Sequence, residues 1–134
     1  MVMDGQGGGI GGAIIKALRE SVGNDLVILA LGTNSIATSR MMKAGANRGA
    51  TGENAIVRTS QAVEVIVGPI SILMANSMMG EVTPQMAAAV SSSGAEKILV
   101  PLTQEKVNII GVSGEPLPHL VDRVVQIIRE MHDV

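Results

Sequence analysis

The spacing of apolar positions changes period several times along the chain. Ile10, Ala13, Ile14, Ala17, Leu18 and Val22 recur every three or four residues, which predicts a helix over 10–22 that Gly23 and Asn24 end. Met1 to Asp4 before it reads as the end of a short first strand. Leu26 to Leu31 is an unbroken apolar run, the pattern of a parallel strand buried on both faces. Ser35–Ala44 follows as a helix, with Asn34 or Ser35 as its cap and Gly45 as its stop. Ala46–Gly52 reads as a glycine-bearing loop, Glu53–Ser60 as a short helix, and Val63–Val67 as a third strand stopped by Gly68-Pro69. Ile70–Met79 reads as helical. Thr83-Pro84 starts another helix running to about Ser92, since proline is tolerated at the first helical position.

Lys97–Val100 is the fourth strand and Val107–Val112 the fifth. So few residues join these two that a parallel crossover, which needs about a dozen, does not fit. The fifth strand is therefore expected at an antiparallel edge. Pro118–Met131 closes the chain as an amphipathic helix. Strands alternating with helices make this an α/β chain. A single Rossmann-like three-layer domain is expected, its mostly parallel sheet ordered 3-2-1-4-5.

Composition narrows the chemistry. The chain has 134 residues, a net charge of −2, and no Phe, Tyr, Trp or Cys. Without a basic face or aromatic rings, neither duplex nor single-stranded nucleic acid is an expected partner. Without cysteine there is no disulfide framework and no thiolate nucleophile. The apolar runs are interrupted well short of the ~18 residues of a membrane span. No basic segment followed by an apolar one marks a secretory signal, so the cytoplasm is the expected location. A mean hydropathy of +0.38 is high for a monomer. A homodimer or larger homo-oligomer is expected, by pairing of 107–112 or by packing of the last helix.

The strongest chemical signal is Asp4-Gly5-Gln6-Gly7-Gly8-Gly9-Ile10-Gly11-Gly12, between a strand and a helix. Gly7, Gly9 and Gly12 fit G-x-G-x-x-G, and Gly5, Gly9 and Gly11 fit G-x-x-x-G-I-G. Missing side chains let a backbone approach a phosphate, and a helix amino terminus offers free N–H groups. A turn needed only for packing requires one or two glycines; here six of the eight positions from Gly5 to Gly12 are glycine. A P-loop is excluded, because Ala13 and Ile14 stand where Lys and Ser or Thr belong. A short-chain dehydrogenase is excluded by the absence of Tyr. The acid that holds a ribose diol after strand two is also missing, for the turn reads Gly32-Thr33-Asn34.

A nucleotide-like small molecule is thus the expected ligand, with its phosphate on Gly5, Gly7, Gly8, Gly9, Ile10, Gly11 and Gly12. Gly32, Thr33 and Asn34 would meet a ribose. Arg48, Thr51 and Asn54 would close over it from the 46–54 loop. The cofactor stays open between NAD(P) and a mononucleotide. Asp4 reads first as a cap of the turn; with Glu53 it is the only candidate acid or base. His119 and His132 lie 13 apart, which is no metal-ligand spacing. This thin titratable inventory favours a sensor or regulatory binding domain over an enzyme. A small enzyme on a phosphorylated or nucleotide substrate is the alternative, and a structural homo-oligomer without ligand is a third.

Asp4–Gly11, Ala30–Thr38, Lys43–Ala46, Arg48–Ile56, Val67–Ile70 and Gly80–Pro84 together resemble a family of small bacterial proteins catalogued as a domain of unknown function. The resemblance spans essentially the whole chain. It implies a Rossmann-like fold and no established activity. Members of that family carry a few more residues before the Asp-Gly pair, so the resemblance implies an internal start and a shortened first strand.

Overall fold

β1, Val2–Asp4, is three residues long, yet it lies at the centre of the sheet. It pairs in parallel with β2, Leu29–Gly32, through Val2–Ala30, Met3–Leu31 and Asp4–Gly32. On its other side it pairs with β4, Val65–Pro69. β3, Arg48–Thr51, flanks β2 at one edge, and β5, Glu96–Val100, flanks β4 at the other. The computed structural model describes residues 1–134 and orders the strands β3-β2-β1-β4-β5, all parallel.

Alternation along the strands divides the core in two. Val2, Ala30, Val67, Ile98 and Val100 face one layer, with α1 (Gly9–Val22), α2 (Ser35–Ala44) and α5 (Leu117–His132). Met3, Leu31 and Ile66 face the other, with α3 (Glu53–Ser60), a short 3-10 helix at Ile70–Leu73, and α4 (Pro84–Ser92). Lacking aromatic rings, the core buries Met3, Met41 and Met86 among its aliphatic side chains. Of the two caps offered for α2, Asn34 is the one used, accepting from the Ala37 N–H at 2.9 Å, and Thr83 accepts from the Met86 N–H at 3.1 Å as expected. Thr51, which the sequence also suggests as the cap of α3, is not one: Gly52 holds that position without a side-chain bond, and Thr51 Oγ1 is bonded to Thr38.

The expected strand order is observed, but some of its segments are not those assigned from sequence. The expected third strand is β4, beside β1. The edge beyond β2 is filled by Arg48–Thr51, expected as a loop. That strand has no apolar pattern because α2 lies directly on it. A Cβ on Gly49 would stand 2.9 Å from both Met42 Sδ and Thr38 Cγ2.

Val107–Val112 forms no strand, and residues 101–116 carry no helix or strand. The antiparallel edge is therefore overturned; β5 is the edge and runs parallel to β4. The physical reason is that Gly111, at φ 90°, breaks extended geometry in this segment, and its apolar side chains have no core to enter beside β5, because α5 already covers Ile98 and Val100 with Leu120, Val121, Val124, Val125 and Ile128. Val107, Ile110 and Val112 are left at the surface. Ile70–Met79 is likewise not one helix. After Leu73, Asn76, Met78 and Met79 adopt φ of 66°, 54° and 57°, which no right-handed helix admits. No helix is long and apolar enough to cross a membrane.

Candidate functional site

β1 ends in a carboxylate that the following turn wraps. Asp4 Oδ1 accepts from the Gly5 N–H and Oδ2 from the Gly11 N–H, each at 2.8 Å. Burial pushes the Asp4 carboxyl above its ordinary range. The N–H groups of Gly11, Gly5 and Ile10 pull the other way, and the nearby Glu81 charge adds to the burial effect. With both oxygens engaged by main chain, Asp4 acts as the cap of the turn.

The glycines of this turn divide into two sets. Gly5, Gly8 and Gly11 are demanded by packing. A Cβ on Gly5 would lie 2.4 Å from Thr33 Oγ1 and 2.5 Å from Met78 Sδ. One on Gly11 would lie 2.6 Å from Met41 Sδ. Gly8 holds φ at 72°, and its Cβ would stand 2.9 Å from Ala37 Cα. Gly7 and Gly9 have no such constraint: their φ values are ordinary, and an added Cβ would meet only the Arg40 side chain, at 3.7 to 4.0 Å. Gly12 is buried in α1, with its N–H bonded to the Gly8 carbonyl oxygen and Arg40 Cγ 3.5 Å from where a Cβ would lie. The N–H groups of Gly7 and Gly9 have no hydrogen-bond partner within the chain. Arg40, on α2, lays its guanidinium along these glycines, with Nη1 3.5 Å from the Gly7 carbonyl oxygen.

On the β2 side, the Thr33 N–H donates to the Asp4 carbonyl at 3.0 Å, and Asn34 Nδ2 donates to the Gln6 carbonyl at 2.9 Å. A carboxylate from a distant segment completes this corner. Glu81 Oε1 accepts from the Gln6 N–H at 2.8 Å, Thr33 Oγ1 at 2.7 Å and Asn34 Nδ2 at 2.8 Å. Burial alone would raise the Glu81 pKa, but these three donors outweigh it and hold the carboxyl below its usual range.

On the other side of the turn a cleft of about 550 Å³ opens between β1, β4 and β5. Its walls include Gly5–Ile10, Pro69, Ser71, Asn76, Met78 and residues 102–105. Ser71 Oγ donates to Thr103 Oγ1 at 2.9 Å, and Glu105 Oε1 accepts from the Met78 N–H at 2.8 Å, which ties the walls together. A smaller, mostly apolar cleft of about 300 Å³ lies at the opposite end of the strands, around Leu18, Val27 and Ile28.

The site residues read from sequence thus fall into two groups. Asp4–Gly12 and Gly32–Asn34 come together at the carboxyl end of β1 and β2. The 46–54 group does not close over them. Arg48 begins β3 opposite Leu29, about 10 Å along the strand from Thr51. Thr51 Oγ1 is bonded to Thr38 Oγ1 at 2.7 Å. Glu53 accepts from Thr83 Oγ1, joining the starts of α3 and α4, and Asn54 is exposed beside it on α3. Arg40, expected from sequence beside Asn34 as a cation for a 2′-phosphate, lies instead along the glycines of the turn, and sequence reasoning missed Glu81 and Glu105 as site residues. Glu81 lies 75 residues from Gln6, and nothing local marks it.

The family model described as Domain of unknown function (DUF3842) matches residues 1–133. The chain belongs to this family. No curated protein and no solved structure matches it. The family assigns no chemistry, so function has to be argued from the carboxyl end of the sheet.

Proposed function

We propose that the chain binds a phosphate-bearing ligand, a nucleotide or dinucleotide, across the β1–α1 turn, and holds it in a sensor or regulatory role. The observation that carries this reading is the division of the glycines. The fold itself accounts for Gly5, Gly8 and Gly11, and Gly12 is buried in α1 beneath Arg40, but packing does not demand Gly7 and Gly9, the first two glycines of G-x-G-x-x-G. A backbone kept bare where nothing of the chain presses on it is suited to a ligand that approaches closely. The unpartnered N–H groups of Gly7 and Gly9 at the start of α1 suit an anion, and Arg40 supplies a cation beside them. The cleft on the side of the turn away from Thr33 and Asn34, at the boundary between β1 and β4 where the strand order reverses, has room for part of the molecule.

Retention is favoured over conversion. Asp4 has both oxygens bonded to main chain, and Glu53 is turned toward Thr83. A purely structural role for the glycines is disfavoured by Gly7 and Gly9. Self-association through the free edge of β5 is consistent with this reading, because β5 has a neighbour only in β4.

The test is native mass spectrometry of gently purified protein, followed by denaturation and identification of any released compound. A stoichiometric phosphate-bearing molecule in the wild type, absent after Gly9→Asp, is the expected result. A chain without Trp or Tyr leaves the nucleotide absorbance unobscured. An empty protein would contradict the reading if a nucleotide panel at about 1 mM also gave no stabilisation, since a ligand at ~100 Kd adds about 2.7 kcal/mol.

A further inference from the structure

We propose that Glu81 reads the sugar of the bound ligand and selects a ribonucleotide with a free 2′,3′-diol; this rests on the reading of the β1–α1 turn given above. In dinucleotide-binding sheets the diol is held by an acid at the end of the second strand. Here that turn is Gly32-Thr33-Asn34, with no acid. The structure brings one to the same corner from elsewhere in the chain. Glu81 Oε1 takes all three donors, from Gln6, Thr33 and Asn34, and stands 3.0 Å from where a Cβ on Gly5 would lie. Glu81 Oε2 makes no hydrogen bond within the chain.

One oxygen of the carboxylate is thus saturated and fixed, and the other is left as an acceptor. The three donors also keep the group ionised. An ionised acceptor repels phosphate and attracts hydroxyl donors. The N–H groups suited to phosphate lie a few residues on, at Gly7 and Gly9. A ligand matching both features carries a phosphate and, close to it, a pair of hydroxyl donors, which is what a ribonucleotide presents. A 2′-deoxy sugar lacks one donor, and a 2′-phosphate brings a like charge to Oε2.

The placement of Glu81 is costly in backbone terms. Asn76, Met78 and Met79 all hold positive φ in the segment that delivers it. The Met78 N–H is pinned by Glu105 and the Gly80 N–H by the Asn76 carbonyl oxygen. A glutamate serving only as a staple between this segment and the turn would need the same three bonds, so the experiment must read the sugar.

Calorimetric titrations of the intact chain with ADP and 2′-deoxy-ADP, GDP and 2′-deoxy-GDP, and UDP and 2′-deoxy-UDP measure this directly. The ribonucleotide of at least one pair is expected to bind about tenfold more tightly than its deoxy partner, the effect of one hydrogen bond to a charged group. Adenosine 2′,5′-bisphosphate is expected to bind more weakly than AMP. Glu81→Gln is expected to bring the ribo-to-deoxy ratio toward one. Equal binding of ribo and deoxy forms by the wild type overturns the role of Glu81 and leaves the phosphate reading standing. So does a ratio unchanged by Glu81→Gln, or capture of a phosphate ligand without a sugar diol. Failure of every diphosphate to bind, with no ligand captured, overturns both.

Discussion

Two segments meet at the carboxyl end of the sheet, joined by the bond from the Gln6 N–H to Glu81, and they are built in opposite ways. The β1–α1 turn is made by removing side chains. Six glycines let it pass between Thr33, Ala37 and Met41 and present bare backbone outward. The segment from Met74 to Thr83 is made by forcing ordinary residues into left-handed conformations, so that Glu81 and Met78 reach across onto the turn. On the proposed function, the bare backbone would meet a ligand by shape and main-chain N–H groups, and the forced segment by the one charged group it delivers. The first is written in adjacent residues, and the second exists only after folding.

The contrast within the turn breaks most sharply at Gly8 against Gly9. Gly8→Ala puts a Cβ against the Ala37 backbone at positive φ, and a loss of about 3 kcal/mol is expected in urea unfolding. Gly9→Ala meets only the Arg40 side chain, and stability within about 1 kcal/mol of wild type is expected. Its cost falls on ligand binding. If Gly9→Ala unfolds the protein as Gly8→Ala does, the two sets of glycines are one set.

Glu81→Ala tests the forced segment. It strips the acceptor from Gln6, Thr33 and Asn34, and a loss of about 1–2 kcal/mol is expected by the same unfolding measurement. Acid titration separates Glu81 from Asp4 by sign. Glu81 has its folded pKa lowered, so its contribution is present above the ordinary value of 4.5 and lost as pH falls through the folded value. The stability difference between wild type and Glu81→Gln should therefore close below pH 4.5. Asp4 runs the other way. Its raised pKa gives a contribution fully present below 3.8 and lost as pH rises through the folded value. A difference that instead widened in acid would place the charge of Glu81 elsewhere.

Much of this architecture was legible in the sequence, and the exceptions have physical causes. Helix α1 and the caps Asn34 and Thr83 follow from residues that are neighbours in sequence. Strand Arg48–Thr51 escaped because Gly49 is small to admit α2 and its four residues are exposed at the edge of the sheet, so no apolar pattern marks it. Val107–Val112 misled in the opposite direction: it has strand-forming residues but no free face to cover, because α5 has taken it. Glu81 could not be found by spacing at all. The smallest expected effect belongs here. Ile110 is 94% exposed, so Ile110→Lys should change stability by less than about 0.5 kcal/mol. A larger loss, or a change in sedimentation behaviour, would mean that 107–112 is paired in solution.

On the proposed function, the bare backbone of the β1–α1 turn receives phosphate. Amide chemical shifts of nitrogen-15-labelled protein during titration with pyrophosphate test this without a choice of nucleobase. The largest changes are expected on Gly7 and Gly9, with saturation. Changes confined to the apolar cleft around Val27 and Ile28, or none in the turn at saturating pyrophosphate, would contradict it.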